Sequence, residues 1–368
     1  MIEVVSKDKD LREELMKISK RFDGGKLFAG ANSGNGFVSF YDTITEDDDI
    51  KHIYILKGGP GTGKSSFMRL AGAYAQKKGL AVEKYSCSSD PDSLDAIVMG
   101  GKYAILDGTA PHMLDPKCPG AREEIIDLGA FWDSKKLSES YENIKKLSEG
   151  KSKSYSMAYR YPFAAKNIRD INCHIVLPFF REEKAVRSVK RLFSDIKCGG
   201  GFSIDVGNIC SIGMKGKVRY DTYESFADKV YIVEDYFGCG GLFLRLLIKK
   251  ANESDTPIRV SYDPIDVETP NAVFFANDRK AFVIADDKNE IYADVKINMK
   301  RFVDLSGISE IRNEYRFNSR LYEALVDSAI ESLENAGKYH FELEKIYESC
   351  MDFASKEVFC KNFLEHLF

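Results

Sequence analysis

The run Lys57-Gly58-Gly59-Pro60-Gly61-Thr62-Gly63-Lys64-Ser65-Ser66 sets one lysine and two hydroxyls directly behind a series of glycines. It fits the pattern of a glycine, four residues, then Gly-Lys-Ser, whose chemistry is the capture of a polyphosphate. Binding such an anion needs backbone N–H groups turned inward, and side chains obstruct that approach. Glycines at 58, 59, 61 and 63 let the loop close and take unusual dihedrals. Lys64 supplies a point charge for the β- and γ-phosphates, and the Ser65 hydroxyl a ligand for Mg²⁺. The whole stretch Gly58, Gly59, Pro60, Gly61, Thr62, Gly63, Lys64, Ser65 and Ser66 is therefore the expected nucleotide-contacting segment.

That chemistry works only if the run follows a buried strand and opens a helix. His52-Ile53-Tyr54-Ile55-Leu56 is a short β-rich apolar run of the kind a central parallel strand shows. Phe67, Leu70, Ala71 and Tyr74 recur at helical spacing, and Gly79 marks a stop. The helix N-terminus adds its own positive end to the loop.

A bound metal also needs an acid at the end of a neighbouring strand. Tyr103-Ala104-Ile105-Leu106-Asp107 provides it, making Asp107 the second expected metal ligand and a catalytic candidate beside Lys64. Gly108 follows where many ATP-driven machines carry a water-polarising glutamate. That points to slow hydrolysis, a base from elsewhere, or transfer to another acceptor. Two loops belong at the same sheet edge, Cys87 to Ser93 and Gly108 to His112. Asp90 or Asp92 would position a nucleophile there, or cap the next helix. His112 would contact a γ-phosphate, or be an ordinary polar loop residue.

Residues 134–170 carry a net charge of +5, with Arg160 and Arg169 near the end. They read as a lid over the phosphates or as a solvated helical face. The interleaved Tyr155, Tyr159, Tyr161 and Phe163 leave base stacking as a minor alternative. The pattern from about 121 to 170 is taken as helical, with Leu137, Tyr141 and Ile144 on one stripe. Residues 7–20 suggest a further helix, Ile175-Val176-Leu177 a strand, and 308–368 a helical close.

At 368 residues the chain exceeds one ordinary core. Its 44% hydrophobic and 30% charged residues are those of a globular protein, and a net charge of −4 offers no general attraction for nucleic acid. No apolar run is long enough to span a bilayer. The eight cysteines lack any C-x-x-C pair, which argues for reduced thiols rather than a zinc or disulfide framework. A cytoplasmic protein without nucleic-acid or membrane partners is expected.

The second half repeats the first. His52 to Lys57 matches Lys229-Val230-Tyr231-Ile232-Val233-Glu234 at a shift of 177 residues. The same shift carries Gly61 to Gly238, Gly63 to Gly240, Leu70 to Leu247 and Ile126-Asp127-Leu128 to Val303-Asp304-Leu305. Ala104 to Asp107 resembles Val283-Ile284-Ala285-Asp286 after an insertion, and Gly36-Phe37-Val38 resembles Gly216-Lys217-Val218. Gly240-Gly241-Leu242 then stands where the first copy has Gly63-Lys64-Ser65, so the second loop lacks both the lysine and the hydroxyl. The expected organisation is an active copy over 1–185, with a lid-like segment 121–170, and a degenerate copy over 186–368. The two halves would dock as an intramolecular pseudo-dimer.

Gly58 to Ser65 resembles the phosphate loop of the P-loop NTPase superfamily, in a form close to that of AAA ATPases. Ser88-Ser89-Asp90-Pro91-Asp92-Ser93-Leu94-Asp95 and Ile105 to His112 are similar to segments of an uncharacterised family of bacterial ATPase-like proteins with two tandem P-loop halves. The resemblance covers most of 26–320. It implies an α/β fold, the three-layer αβα P-loop architecture with a mainly parallel sheet, twice over and with helical extensions. ATP and Mg²⁺ would be the ligands and weak or regulated ATPase activity the function. The alternatives are a small-molecule or nucleotide kinase, and a nucleotide-gated switch with an unidentified protein partner.

Overall fold

The computed structural model describes residues 21–285 and 293–367. The helix expected over 7–20, and Asp286, lie outside them. Two compact units emerge, in their described parts: Met1–Gly30, Ser39–Ser156 and Ser332–Phe368 form the first, Ala31–Val38 and Met157–Glu331 the second. The expected boundary at 185/186 falls inside a helix of the second unit.

The first half of the chain supplies β1 (Lys26–Phe28), β2 (Gly30–Ser33), β3 (Gly36–Ser39), β4 (His52–Lys57), β5 (Val82–Ser86), β6 (Leu94–Met99), β7 (Tyr103–Asp107) and β8 (Glu123–Asp127). The second supplies β9 (Ile204–Val206), β10 (Cys210–Gly213), β11 (Gly216–Arg219), β12 (Lys229–Glu234), β13 (Ile258–Tyr262), β14 (Pro270–Phe275), β15 (Lys280–Ile284) and β16 (Val295–Asn298). The helices are α1 (Asp42–Thr45), α2 (Lys64–Lys77), α3 (Ser134–Glu139), α4 (Tyr141–Val176), α5 (Glu182–Leu192), α6 (Thr222–Phe226), α7 (Cys239–Glu253), α8 (Leu305–Glu348) and α9 (Phe353–Glu365).

Each unit is built on a mixed sheet of mostly parallel strands, in the order β1-β5-β6-β7-β4-β8 and, for the second, β9-β13-β14-β15-β12-β16. Only β6 and β14 run against their neighbours. The β6–β7 hairpin turns at Gly100 and Gly101, both with positive φ. The sequence reading passed over β6, although Leu94 to Met99 is a fully buried run. It also took 121–170 as helical throughout, whereas Glu123–Asp127 is strand β8, paired with β4. The three residues 175–177 taken for a strand close α4 and start a short 3-10 turn.

Amphipathic α2 buries Phe67, Met68, Ala71 and Ala75 against Val82, Ile97 and Ile105. Cys360 and Leu364 of α9 complete that cluster. On α7, Phe243, Leu244, Leu247 and Ala251 do the same for the second sheet, against Val260, Val273 and Phe282.

The equivalence of the units extends to single hydrogen bonds. Cys87 N–H donates to Ser93 O and Asp263 N–H to Thr269 O, both at 2.9 Å. Leu80 N–H reaches Ala75 O at 3.0 Å, as Thr256 N–H reaches Ala251 O at 2.9 Å. These bonds and the strand registers correct the expected matches beyond the strand, Gly61 with Gly238 and Gly63 with Gly240 among them, and set Gly240-Gly241 rather than Gly241-Leu242 opposite Lys64-Ser65. The shift of 177 holds for β4 and β12, but drops by one across the loop, so Ala71 rather than Leu70 corresponds to Leu247. Burial agrees, since Leu70 is 42% exposed and Leu247 wholly buried. In β7 and β15 the register sets Leu56 beside Asp107 and Val233 beside Ile284, so Asp107 answers to Ile284 with no insertion. Asp127 answers to Asn298, each capping the short 3-10 turn that follows, and not to Asp304.

Candidate functional site

The loop of residues 58–63 joins the carboxyl end of β4 to the N-terminus of α2. Gly58, Gly61 and Gly63 have φ of 141°, 71° and 78°, conformations that a side chain would strain. The Lys64 ammonium folds back over this loop and donates to Gly58 O at 2.9 Å and Gly59 O at 3.0 Å. It also lies 3.6 Å from Asp107 Oδ2. Adjacent parallel strands bring these two residues together, because Leu56, at the end of β4, pairs with Asp107.

Asp107 Oδ1 is committed to Thr109, accepting from its N–H at 2.8 Å and its hydroxyl at 2.6 Å. Oδ2 is left to face the loop. Burial raises the carboxyl above the usual aspartate range, with Lys64 pulling the other way and Asp95 adding to the rise. Ser65 Oγ accepts from Leu94 N–H at 2.9 Å, which fixes the hydroxyl on the first turn of α2 and leaves its proton and one lone pair for a ligand. Lys57 is used structurally, by Gly108 O, Leu114 O and Asp115.

Lys356, Glu344 and the backbone of α8, which sequence reasoning missed, gather at this loop with His340 and with Lys151 of the expected lid segment. Lys356 of α9 is buried, yet its ammonium donates only to Gly63 O, at 3.3 Å, and sits 5.5 Å from the Phe353 ring. Burial lowers its pKa, and no described carboxylate pairs with it. Lys151 of α4, also lowered by burial, is 3.1 Å from His340 Nδ1. Glu344 is held below the usual glutamate range, chiefly by His340 and also by the Gly61 N–H and Lys64. The backbone of α8 closes on the loop too: a Cβ at Gly61 would meet Glu344 O at 2.7 Å. These residues lie 87 to 292 positions from Lys64 in the chain, so no local motif could flag them.

Other expected participants are occupied elsewhere. His112 is buried, stacked on Tyr41 at 4.3 Å, and hydrogen-bonded to Asp95 Oδ2 and Ser39 Oγ, each at 3.0 Å. That is a structural use, and it takes up both ring nitrogens. Asp90 anchors its own turn, its carbonyl accepting from Ser93 N–H and its Oδ1 from Asp92 N–H. Tyr155, whose hydroxyl burial pushes up to about 12, hydrogen-bonds to the neighbouring Ser89. In the second unit, Arg169 pairs with Asp263 at 2.7 Å and Lys166 with Asp266 at 3.3 Å. Those two cations of the expected lid are thereby committed. Arg160 is exposed.

The corresponding loop of the second unit is built differently. It is one residue shorter, and Asp235 stands where the first begins with Gly58. Asp235 is exposed as a residue, but its Oδ1 turns in to accept from Gly240 N–H at 2.6 Å and Tyr236 N–H at 2.8 Å. A carboxylate of the chain itself takes the inward-facing amides. Gly240 and Gly241 replace Lys64 and Ser65, and a Cβ at 241 would meet Thr269 Cγ2 at 2.7 Å.

Among the described residues no helix is long and apolar enough to cross a membrane. Comparison with protein-family models, curated proteins and solved structures found no match.

Proposed function

We propose that the first unit is a P-loop nucleotide-binding domain of the three-layer αβα kind, taking ATP with Mg²⁺ and hydrolysing it slowly or under control. The observation that carries this reading is Lys64, held at 3.6 Å from Asp107 over a loop of left-handed glycines at the carboxyl edge of the sheet. The same loop has the buried ammonium of Lys356 against it with no acid among the described residues to balance it, and a buried charge without a partner is costly. A polyphosphate supplies the missing negative charge. On binding, Lys64 would leave the Gly58 and Gly59 carbonyls for the phosphates, freeing Asp107 Oδ2.

The residues present fit the metal. Ser65 Oγ and Asp107 Oδ2 would hold Mg²⁺, directly and through water. The ion would neutralise charge on the β- and γ-phosphates. Lys64 orients the γ-phosphate and stabilises the charge developing on it.

A phosphotransferase is favoured as second reading by Gly108. A Cβ there would fall 2.3 Å from Ile55 Cγ2, so no glutamate fits after Asp107. Water has no strong base at the usual place, and an acceptor hydroxyl delivered near Asp90 and Tyr155 would be the alternative. The nucleotide-gated switch with a protein partner remains the third form of the proposal.

The deciding experiment is phosphate release from Mg²⁺–ATP, without acceptor, by the wild type and by Lys64→Ala. Turnover lost by on the order of 10²-fold or more in the variant supports the ATPase. No turnover in either, with the wild type binding one more equivalent of Mg²⁺–ATP than the variant, sinks autonomous hydrolysis and leaves the transferase and the switch. Equal ATP binding by both proteins, in the presence of Mg²⁺, would overturn the site itself.

A further inference from the structure

The second unit holds a cavity of about 890 Å³ beside its closed loop, within the range of roughly 300–1,000 Å³ typical of ligand sites. Tyr236, Phe237 and Tyr315 form its apolar wall, and Arg312, Arg316 and Arg320 of α8 its polar side. It opens where ligands bind in α/β folds, at the carboxyl end of β12.

Three features mark it as built. The arginines follow one another at i, i+4 and i+8, where like charges repel along a helix face. All three are exposed, and none has an ion pair or hydrogen bond among the described residues. Glu323, the acid three residues past Arg320, is taken by Lys217 at 2.6 Å. Phe237 has a φ of 56°, left-handed backbone that is strained for a bulky residue, and this holds its ring 4.2 Å from that of Tyr315. The Lys300 ammonium lies 5.2 Å from the ring of Tyr236, one of the lining aromatics.

We infer that this cavity binds a nucleoside polyphosphate. The base stacks on the aromatic wall, and the phosphates lie along the arginines, whose planar forks match phosphate oxygens in pairs. Each four-residue step of α8 advances about 6 Å, so the three guanidiniums span about 12 Å, more than one phosphate can use. Asp235, the neighbouring acid, has one oxygen tied to two amides of the loop beside this cavity. The second unit thus exchanges backbone capture with Mg²⁺ for arginine capture without it.

The inference does not depend on the first unit binding ATP. Its test is calorimetric titration of the full chain carrying Lys64→Ala with ATP and with ADP, in EDTA. The expected result is one equivalent bound, weakened at least about tenfold when Arg316→Gln and Arg320→Gln are added. The melting temperature without ligand should be unchanged or higher in the added variant, since a like-charge pair is relieved. No binding by Lys64→Ala, or binding indifferent to the two glutamines, overturns the site. Binding of a decathymidylate where both nucleotides fail also overturns it, in favour of strand docking. Equal stoichiometry for wild type and Lys64→Ala in Mg²⁺ would count against the first-unit site while leaving this one standing.

Discussion

The loops after β4 and β12 share one strand–loop–helix plan and are filled in different ways. The first has Gly58 at its head and Lys64 folded over its carbonyls, and gives up the Gly61 N–H to Glu344 of α8. The second spends its amides on its own Asp235. The difference between the loops is therefore more than two missing side chains. The neighbours have changed with it: Ile284 occupies the Asp107 register position, and Thr269 fills the space in front of Gly241.

The largest effect expected from this comparison is the loss of on the order of 10²-fold in phosphate release on Lys64→Ala. Its mirror is the attempt to restore the second loop by Gly240→Lys with Gly241→Ser. A Cβ at 240 would meet Ile284 Cδ1 at 3.0 Å and Asp235 Oδ1 at 3.1 Å, and one at 241 would meet Thr269 closer still. Overpacking of this kind costs about 1–3 kcal/mol. Urea unfolding of the double variant should show that loss, with no gain of Mg²⁺-dependent nucleotide binding. A variant of wild-type stability that binds Mg²⁺–ATP in the second unit would break the comparison.

The plan of the fold was legible because it rests on local signals. An apolar strand, a glycine run and an amphipathic helix occupy successive stretches of chain from His52 to Lys77. Strand β8 does not stand out in the sequence, because Glu123-Glu124-Ile125-Ile126-Asp127 lies at the sheet edge with Glu124, Ile125 and Asp127 exposed and so lacks a strand's alternation, and a long helical pattern follows it. Within the site, Lys64, Ser65 and Asp107 were found because each ends or begins an element. Lys356 and Glu344 were not, because only packing of α8 and α9 brings them to the loop, and a lysine in an exposed-looking helix carries no mark of its destination.

Lys356→Met sharpens the contrast next. The thioether fills the volume of the lysine stem without a charge, so the ligand-free protein should gain stability while nucleotide affinity falls about tenfold, the worth of one charge-assisted contact. Parallel thermal melts and nucleotide titration read the two halves of that expectation. A variant that melts lower and binds as before would make Lys356 a packing residue only.

The smallest effect belongs to Asp107 and depends on pH. Its folded pKa is raised, mainly by burial, so the fold favours the protonated acid and is opposed by the ionised one. Below the ordinary aspartate value the group is neutral in both states and the penalty is absent. It grows as the pH rises toward the folded value and is fully present above it. Asp107→Asn removes the ionised form and keeps an oxygen for Thr109. In EDTA the variant should therefore melt above the wild type at pH 8, with the gap closing as the pH falls to 4. Saturating Mg²⁺–ATP should reverse the order at pH 8, because only the wild type then gains the stabilisation of a bound metal and nucleotide. Ile284 already holds this position without charge in the second unit, and so Ile284→Val should shift its melting by the same amount at both pH values. An Asp107→Asn gap that ignores pH would show that its carboxylate is fully compensated by Lys64, and that the first loop rests in a balanced rather than an anion-seeking state.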